Sequence, residues 1–270
     1  MIQEFLKYQA ENKGLAAQTI DGYRKELRAF VSWAQPKGLR WSTISSTDMQ
    51  EYVRYENARG MKPRTIKRRV EVVRLILEYA KHQGYVKENA AWFTQTPKIA
   101  DELPKASSCE EIEAYLKMQA TSTDFLKCQI IVGLIYETGL RLGEVLSLRG
   151  EDFDLANRRI KVQGKGRKER YVYYGNFTGA YAASMAKRQG IIFDLGDVET
   201  RYMMYNYAGS YVKGIHPHAI RHAFACKQLN SGMELKTLST LMGHKHVETT
   251  EIYAQLADKR VGEEYRRINN

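Results

Sequence analysis

The chain has 270 residues, enough for two domains of ordinary size, and 43% hydrophobic content gives each a core, which excludes a disordered chain. A formal charge of +11 and a pI near 9.4 favour a polyanionic partner over a neutral small molecule. No apolar run approaches the roughly 20 residues that span a bilayer, and the opening Met-Ile-Gln-Glu-Phe-Leu lacks the layout of a secretory signal, so a soluble cytoplasmic protein without membrane contact is expected.

Charge is unevenly placed. Residues 1–100 hold 18 Lys and Arg against 10 Asp and Glu, most of the basic excess. Apolar spacing there predicts helices over 2–12, 17–34 after a break at Gly14, 47–58 and 63–83. The fourth begins at Pro63 and carries Arg64, Lys67, Arg68 and Arg69 ahead of an apolar stripe of Val70, Val73, Leu75, Ile76 and Tyr79. One face can pack while the other meets phosphate, although a basic run by itself is also consistent with a solvated surface. Residues 93–108 lack periodicity and contain Pro97 and Pro104, as an extended linker would. The expected division is therefore a helical domain over 1–92, a linker over 93–108 and a second domain over 109–270.

At the end of the linker Ser107 or Ser108 caps the second domain's opening helix, with Glu110 and Glu111 in its first turn, and an apolar helix is expected over 125–137. A hairpin follows at about 158–175, with strands over 159–163 and 169–174, then helices over about 198–212, 218–230, 234–242 and 248–257. The fold class is mainly α with a small antiparallel β-sheet, α+β.

Five local sequences in this half could carry chemistry. In Glu137-Thr138-Gly139-Leu140-Arg141-Leu142-Gly143-Glu144 the Thr-Gly step interrupts one helix and Arg141 opens the next, where its fork can face an anion and Glu144, one turn on, can orient it. A structural Arg–Glu pair would look the same. Gly164-Lys165-Gly166-Arg167-Lys168 is a glycine-bracketed hairpin tip that lifts Lys165 away from the sheet, where it, Arg167 and Lys168 could reach DNA, although a merely solvated tip would look the same. His216-Pro217-His218-Ala219-Ile220-Arg221-His222 starts a helix after proline and places His218 and Arg221 on one face near the positive end of the dipole. Leu241-Met242-Gly243-His244 ends a helix at a glycine that would turn the chain and aim His244 inward. Tyr253 lies in the early turns of the next helix, but with 18 tyrosines in the chain a packing role is the ordinary reading of any one.

Metal is the rival chemistry, because His218 and His222 are spaced i,i+4 and five of six histidines fall within 216–246. No Glu stands between them in the His-Glu-x-x-His manner, and Cys109, Cys128 and Cys226 have no Cys-x-x-Cys spacing, so neither a metal nor another cofactor is expected. His216, His222 and His246 are assigned to packing, capping or phosphate-backbone contacts.

The order Thr-Gly-Leu-Arg, Gly-Lys-Gly, His-x-x-Arg-His, Leu-x-Gly-His and then Tyr nine residues on closely resembles the tyrosine recombinases, over nearly the whole chain. Residues 1–90 are similar to that family's helical core-binding, SAM-like domain, and Thr96-Pro97-Lys98 through Leu103-Pro104-Lys105 to the interdomain linker of its Xer and phage-integrase branches. The resemblance implies that Tyr253 attacks the scissile phosphate, giving a 3′-phosphotyrosyl enzyme and a free 5′-hydroxyl. It implies that Arg141, Arg221 and His244 hold the non-bridging oxygens, Lys165 protonates the leaving 5′-oxygen, His218 is the general acid/base and Glu144 supports Arg141. It further implies duplex DNA with short inverted-repeat sites, strand exchange through a Holliday junction, and a homo-tetramer on two sites, with accessory DNA-binding proteins as possible further partners. Two features set the chain apart. Lys165 and His218 are only 53 positions apart, and the arm-binding domain of many phage integrases is not expected ahead of the helical domain. A catalytically silent DNA-binding protein of the same fold and a metal-dependent hydrolase are the alternatives.

Overall fold

The structure, a computed structural model, describes residues 1–99, 107–164 and 169–243. The chain divides into two compact units, Met1–Asp101 and Glu102–Asn270.

Among its described residues the first unit has four α-helices, α1 (Ile2–Glu11), α2 (Ala17–Ala34), α3 (Ser46–Ala58) and α4 (Pro63–His82), with a short 3₁₀ turn at Gln35–Lys37. α3 opens with a capping box in which Ser45 accepts from the Asp48 amide (3.2 Å) and the Asp48 carboxylate accepts from the Ser45 amide (2.8 Å). α4 begins at Pro63, whose fixed φ suits the first helical position. Two clusters form the core. Phe30, Trp33, Met49, Tyr52, Ile66 and Val70 make one, and Phe5, Leu6, Ile20, Leu27, Val72 and Ile76 the other. Each such side chain contributes about 1.5–3 kcal/mol by leaving water. The α4 stripe departs from expectation at Leu75, which is exposed, while Val72 and Leu77 are buried in its place. At 100° per residue the inner face follows Ile66, Val70, Val73 and Leu77, and Leu75 falls outside it.

The second unit is built around α6 (Thr123–Thr138), which is apolar on all sides and buries Phe125, Cys128, Ile131, Val132, Leu134 and Ile135. A helix without a polar face must be enclosed. It packs against α5 (Cys109–Lys117), α8 (Asn176–Ala186), α9 (Asp197–Ala208) and α10 (Pro217–Asn230), and runs on into the short α7 (Leu142–Leu146). Ser108 caps α5, accepting from the Glu111 amide at 3.2 Å.

The sheet is an antiparallel meander of β1 (Phe153–Asp154), β2 (Arg159–Gln163) and β3 (Glu169–Tyr173), with Ile160 opposite Val172 and Val162 opposite Arg170. Ile160, Val162 and Val172 point inward, and Arg159, Lys161, Tyr171 and Tyr173 point outward. α11 (Leu235–Met242) completes the described part of the unit and packs on α10.

Three elements differ from the sequence reading. The two-residue β1 is an additional strand, α8 is an additional helix, and α9 stops at Ala208 rather than near 212. The α8 N-terminus is held by a distant side chain: the Glu137 carboxylate accepts from the amides of Gly175, Phe177 and Thr178 at 3.1, 3.1 and 2.9 Å. A carboxylate there satisfies orphan amides and meets the positive end of the dipole.

Candidate active site

The site begins where α6 must stop. Gly139 ends that helix with φ +68°, and a Cβ there would lie 2.5 Å from the Phe224 ring, so both backbone and space require glycine. The chain turns and Arg141 becomes the N-cap of α7, its own amide donating to Glu144 Oε2 at 2.8 Å and its Nη1 to Glu144 Oε1 at 3.1 Å. The Arg141 side chain remains 42% exposed.

α10 supplies the next groups. His216 is its N-cap, Nδ1 accepting from the Ala219 amide at 3.1 Å, a capping role among those expected of it. His218, one residue past Pro217, is solvent-accessible. Desolvation, followed by the charges of Arg201, His216, Arg221 and Arg141, holds its pKa below the usual histidine value. An imidazole in that field is neutral at pH 7 and able to accept a proton. Burial, followed by neighbouring histidine and arginine groups, likewise lowers His222. Arg221, one turn after His218, is buried at 4% exposure.

The third contribution is the C-terminal end of α11. Gly243 adopts φ +62° and ends the helix, in line with the expected glycine stop. The last carbonyls of a helix have no partner within it. Three successive carbonyls here each receive a different arginine. Arg170 Nε donates to Leu241 O at 3.0 Å, Arg221 Nη2 to Met242 O at 2.7 Å and Arg141 Nη2 to Gly243 O at 3.3 Å. Arg221 Nη1 also donates to Gly139 O, tying the α6–α7 turn to α10. Two arginines 80 positions apart are thereby brought to adjacent residues, with His218 near enough to feel both charges.

Arg170 escaped the sequence reading. Its Nη1 and Nη2 donate to Glu144 Oε1 and Oε2, both at 2.9 Å. Burial raises the Glu144 pKa, but Arg170 and then Arg141 overcome it and hold the carboxyl below its ordinary value. Strand alternation could have found Arg170, because it shares parity with inward-facing Val172 and is thus a charge on the buried face of β3.

The structure therefore brings Arg141, Glu144, His218 and Arg221 together. Lys165, Arg167, Lys168, His244 and Tyr253 lie outside the described residues.

The basic face of α4 divides. Arg64, Lys67 and Arg68 are exposed and line a surface groove with Gln18, Thr19 and Tyr23. Arg69 turns inward, paired with fully buried Glu56 at 2.7 Å and with Glu26 at 3.2 Å. Of the four residues expected to meet phosphate, Arg69 thus has its charge met inside the unit, because a buried carboxylate needs a cation.

A model of the phage integrase family matches residues 108–260, and one of the phage integrase N-terminal SAM-like domain matches residues 2–84. Tyrosine recombinase XerD of Listeria monocytogenes is 28% identical, over 100% of this chain and 98% of that protein. Tyrosine recombinase XerC of Xanthomonas campestris pv. campestris is 27% identical, over 94% and 84%. In fold the chain is similar to the Tn1549 transposon integrase in complex with a circular intermediate DNA (TM-score 0.75, 18% identity, 96% of this chain and 99% of that one). It is also similar to the XerH site-specific recombinase in a post-cleavage complex with palindromic difH substrate (TM-score 0.73, 19% identity, 100% and 85%). Among the described residues no helix is long and apolar enough to cross a membrane.

Proposed function

Given that the chain belongs to the phage integrase family and is a tyrosine recombinase, an enzyme that cleaves and rejoins DNA at specific sites, we propose how its own residues divide that work. Tyr253 attacks the scissile phosphate and forms a 3′-phosphotyrosyl link while the 5′-oxygen departs. The bond energy stays in the covalent link, so rejoining requires no nucleotide. Arg141 and Arg221, with His244, neutralise the charge that gathers on the non-bridging oxygens, work suited to fixed guanidinium forks. Neutral His218 accepts the tyrosine proton, since a phenol of ordinary pKa about 10 is a poor nucleophile unaided. Lys165 returns a proton to the leaving oxygen.

The observation that carries this reading is the meeting of Arg141 and Arg221 on the Gly243 and Met242 carbonyls, which gathers two cations where an anion can bind. The test is incubation with nicked, suicide-type sites drawn from a pool of genomic fragments, in the presence of a chelator. Covalent adducts that survive denaturing gels support the assignment, and loss of adducts on chelation overturns the metal-free mechanism.

The sites are short inverted repeats carrying four protomers on two duplexes, in likeness to the palindromic substrate of XerH. Exposed Arg64, Lys67 and Arg68, with Arg167 and Lys168, contact the DNA backbone. Replacing the first three together by alanine is expected to weaken binding across sequences and to flatten the salt dependence by about 0.9 for each phosphate no longer neutralised. An unchanged salt slope would put the DNA surface elsewhere.

A further inference from the structure

We infer that Arg170 is a positioning residue that keeps Arg141 turned towards phosphate by occupying Glu144. This rests on the reading of Arg141 as a phosphate ligand. Arg170 is 14% exposed on the inner face of β3 and meets Glu144, itself 11% exposed, end-on, Nη1 and Nη2 each donating to one carboxylate oxygen at 2.9 Å. A bidentate, charge-assisted pair is stronger and more directional than a single contact. Arg141 is left the weaker position. It reaches the same carboxylate through one Nη1 contact at 3.1 Å and its amide, donates Nη2 to Gly243 O, and stays partly exposed.

The competition decides the geometry. A largely buried carboxylate demands a full counterion, and Arg141 stands beside it in the same turn of α7. With Arg170 in place both oxygens are already served and Arg141 need not close on them. Without it, Glu144 draws the Arg141 guanidinium into a bidentate pair, and donors turned to a carboxylate no longer serve a phosphate. Arg170 also fixes the α11 end through Leu241 O. Gly243 makes room, since a Cβ at that position would lie 3.0 Å from the Arg170 guanidinium carbon.

The test compares single-turnover adduct formation on a suicide substrate carrying either an ordinary scissile phosphate or a methylphosphonate, whose neutral methyl group reduces the need for guanidinium charge. Arg170→Ala is expected to slow cleavage of the phosphate about 10²-fold, the scale of losing one transition-state donor, with DNA affinity changed less than about twofold. Adding Glu144→Gln should restore most of the rate, because a neutral amide no longer captures Arg141. The Arg170→Ala and Arg141→Ala defects should both shrink to a few-fold on the methylphosphonate. If Arg170→Ala does not fold, Arg170→Lys, which keeps the charge but not the two parallel donors, carries the same comparisons. A defect equal on both substrates and unmoved by Glu144→Gln would make Arg170 merely structural and overturn the inference, while Arg141 stands. If Arg141→Ala cleaves the phosphate at the wild-type rate, the assignment of Arg141 itself is wrong and the inference falls with it.

Discussion

Arg221→Lys is expected to lower the rate of covalent-adduct formation by about 10²–10³-fold while leaving DNA affinity within a few-fold, because the missing interaction matters most when charge gathers in the transition state. The guanidinium is buried and bridges Gly139 O and Met242 O, so it is held before substrate arrives. An ammonium carries the charge but is a point donor, unable to span both carbonyls in the planar geometry that presents a fork to phosphate. Arg221→Ala should cut the rate further and also reduce stability. Each buried carbonyl left unpaired costs about 1–3 kcal/mol, and each kcal/mol lowers the melting temperature of a unit this size by roughly 2–4 °C. Single-turnover kinetics on a suicide substrate, with a thermal melt of the same samples, separates the two effects. A wild-type rate in Arg221→Lys would remove Arg221 from the chemistry and leave it as a tie between α6 and α11.

Tyr253→Phe should reduce adduct formation to background with binding nearly unchanged. The substitution deletes one oxygen, the proposed nucleophile, and leaves a ring of the same shape. Water attacking the same phosphate would give a broken strand rather than a rejoinable link, so it cannot stand in for the phenol. Gel-shift affinity and adduct yield, measured together, check it. Persistent adducts would move the nucleophile to another of the 18 tyrosines, and the adducted peptide would identify which.

Much of the architecture was legible because its determinants are local. Pro63, Pro217 and Ser108 begin α4, α10 and α5, and Gly139 and Gly243 end α6 and α11, each through backbone geometry or a capping contact within a few residues. α8 was less legible. Its N-terminus is capped by Glu137, some 40 positions earlier, so the polar satisfaction of its first turn comes from outside the segment. β1 pairs only two residues, too few for alternation to register. The α9 overrun has a local cause, since Gly209 breaks a periodicity that the apolar residues beyond it continue.

The sequence by itself determined the chemistry on offer: which cations, imidazoles and phenol occur, in which order, and at which helix starts and glycine turns. Those are properties of short stretches, where φ preferences, caps and side-chain type act over one or two turns. Only the tertiary structure decided which charges are neutralised within the fold and which remain exposed. Arg69 faces inward because Glu56 is buried beneath it, Arg68 stays exposed but pairs with Glu26 at 3.1 Å, and Arg64 and Lys67 are exposed. Arg170, Arg221 and Arg141 collect on three consecutive carbonyls because α11 ends against β3, α10 and the α6–α7 turn, and a buried carbonyl or carboxylate takes the nearest donor wherever the chain brings it from. That pairing is set by packing between elements distant in sequence, and no local pattern encodes it.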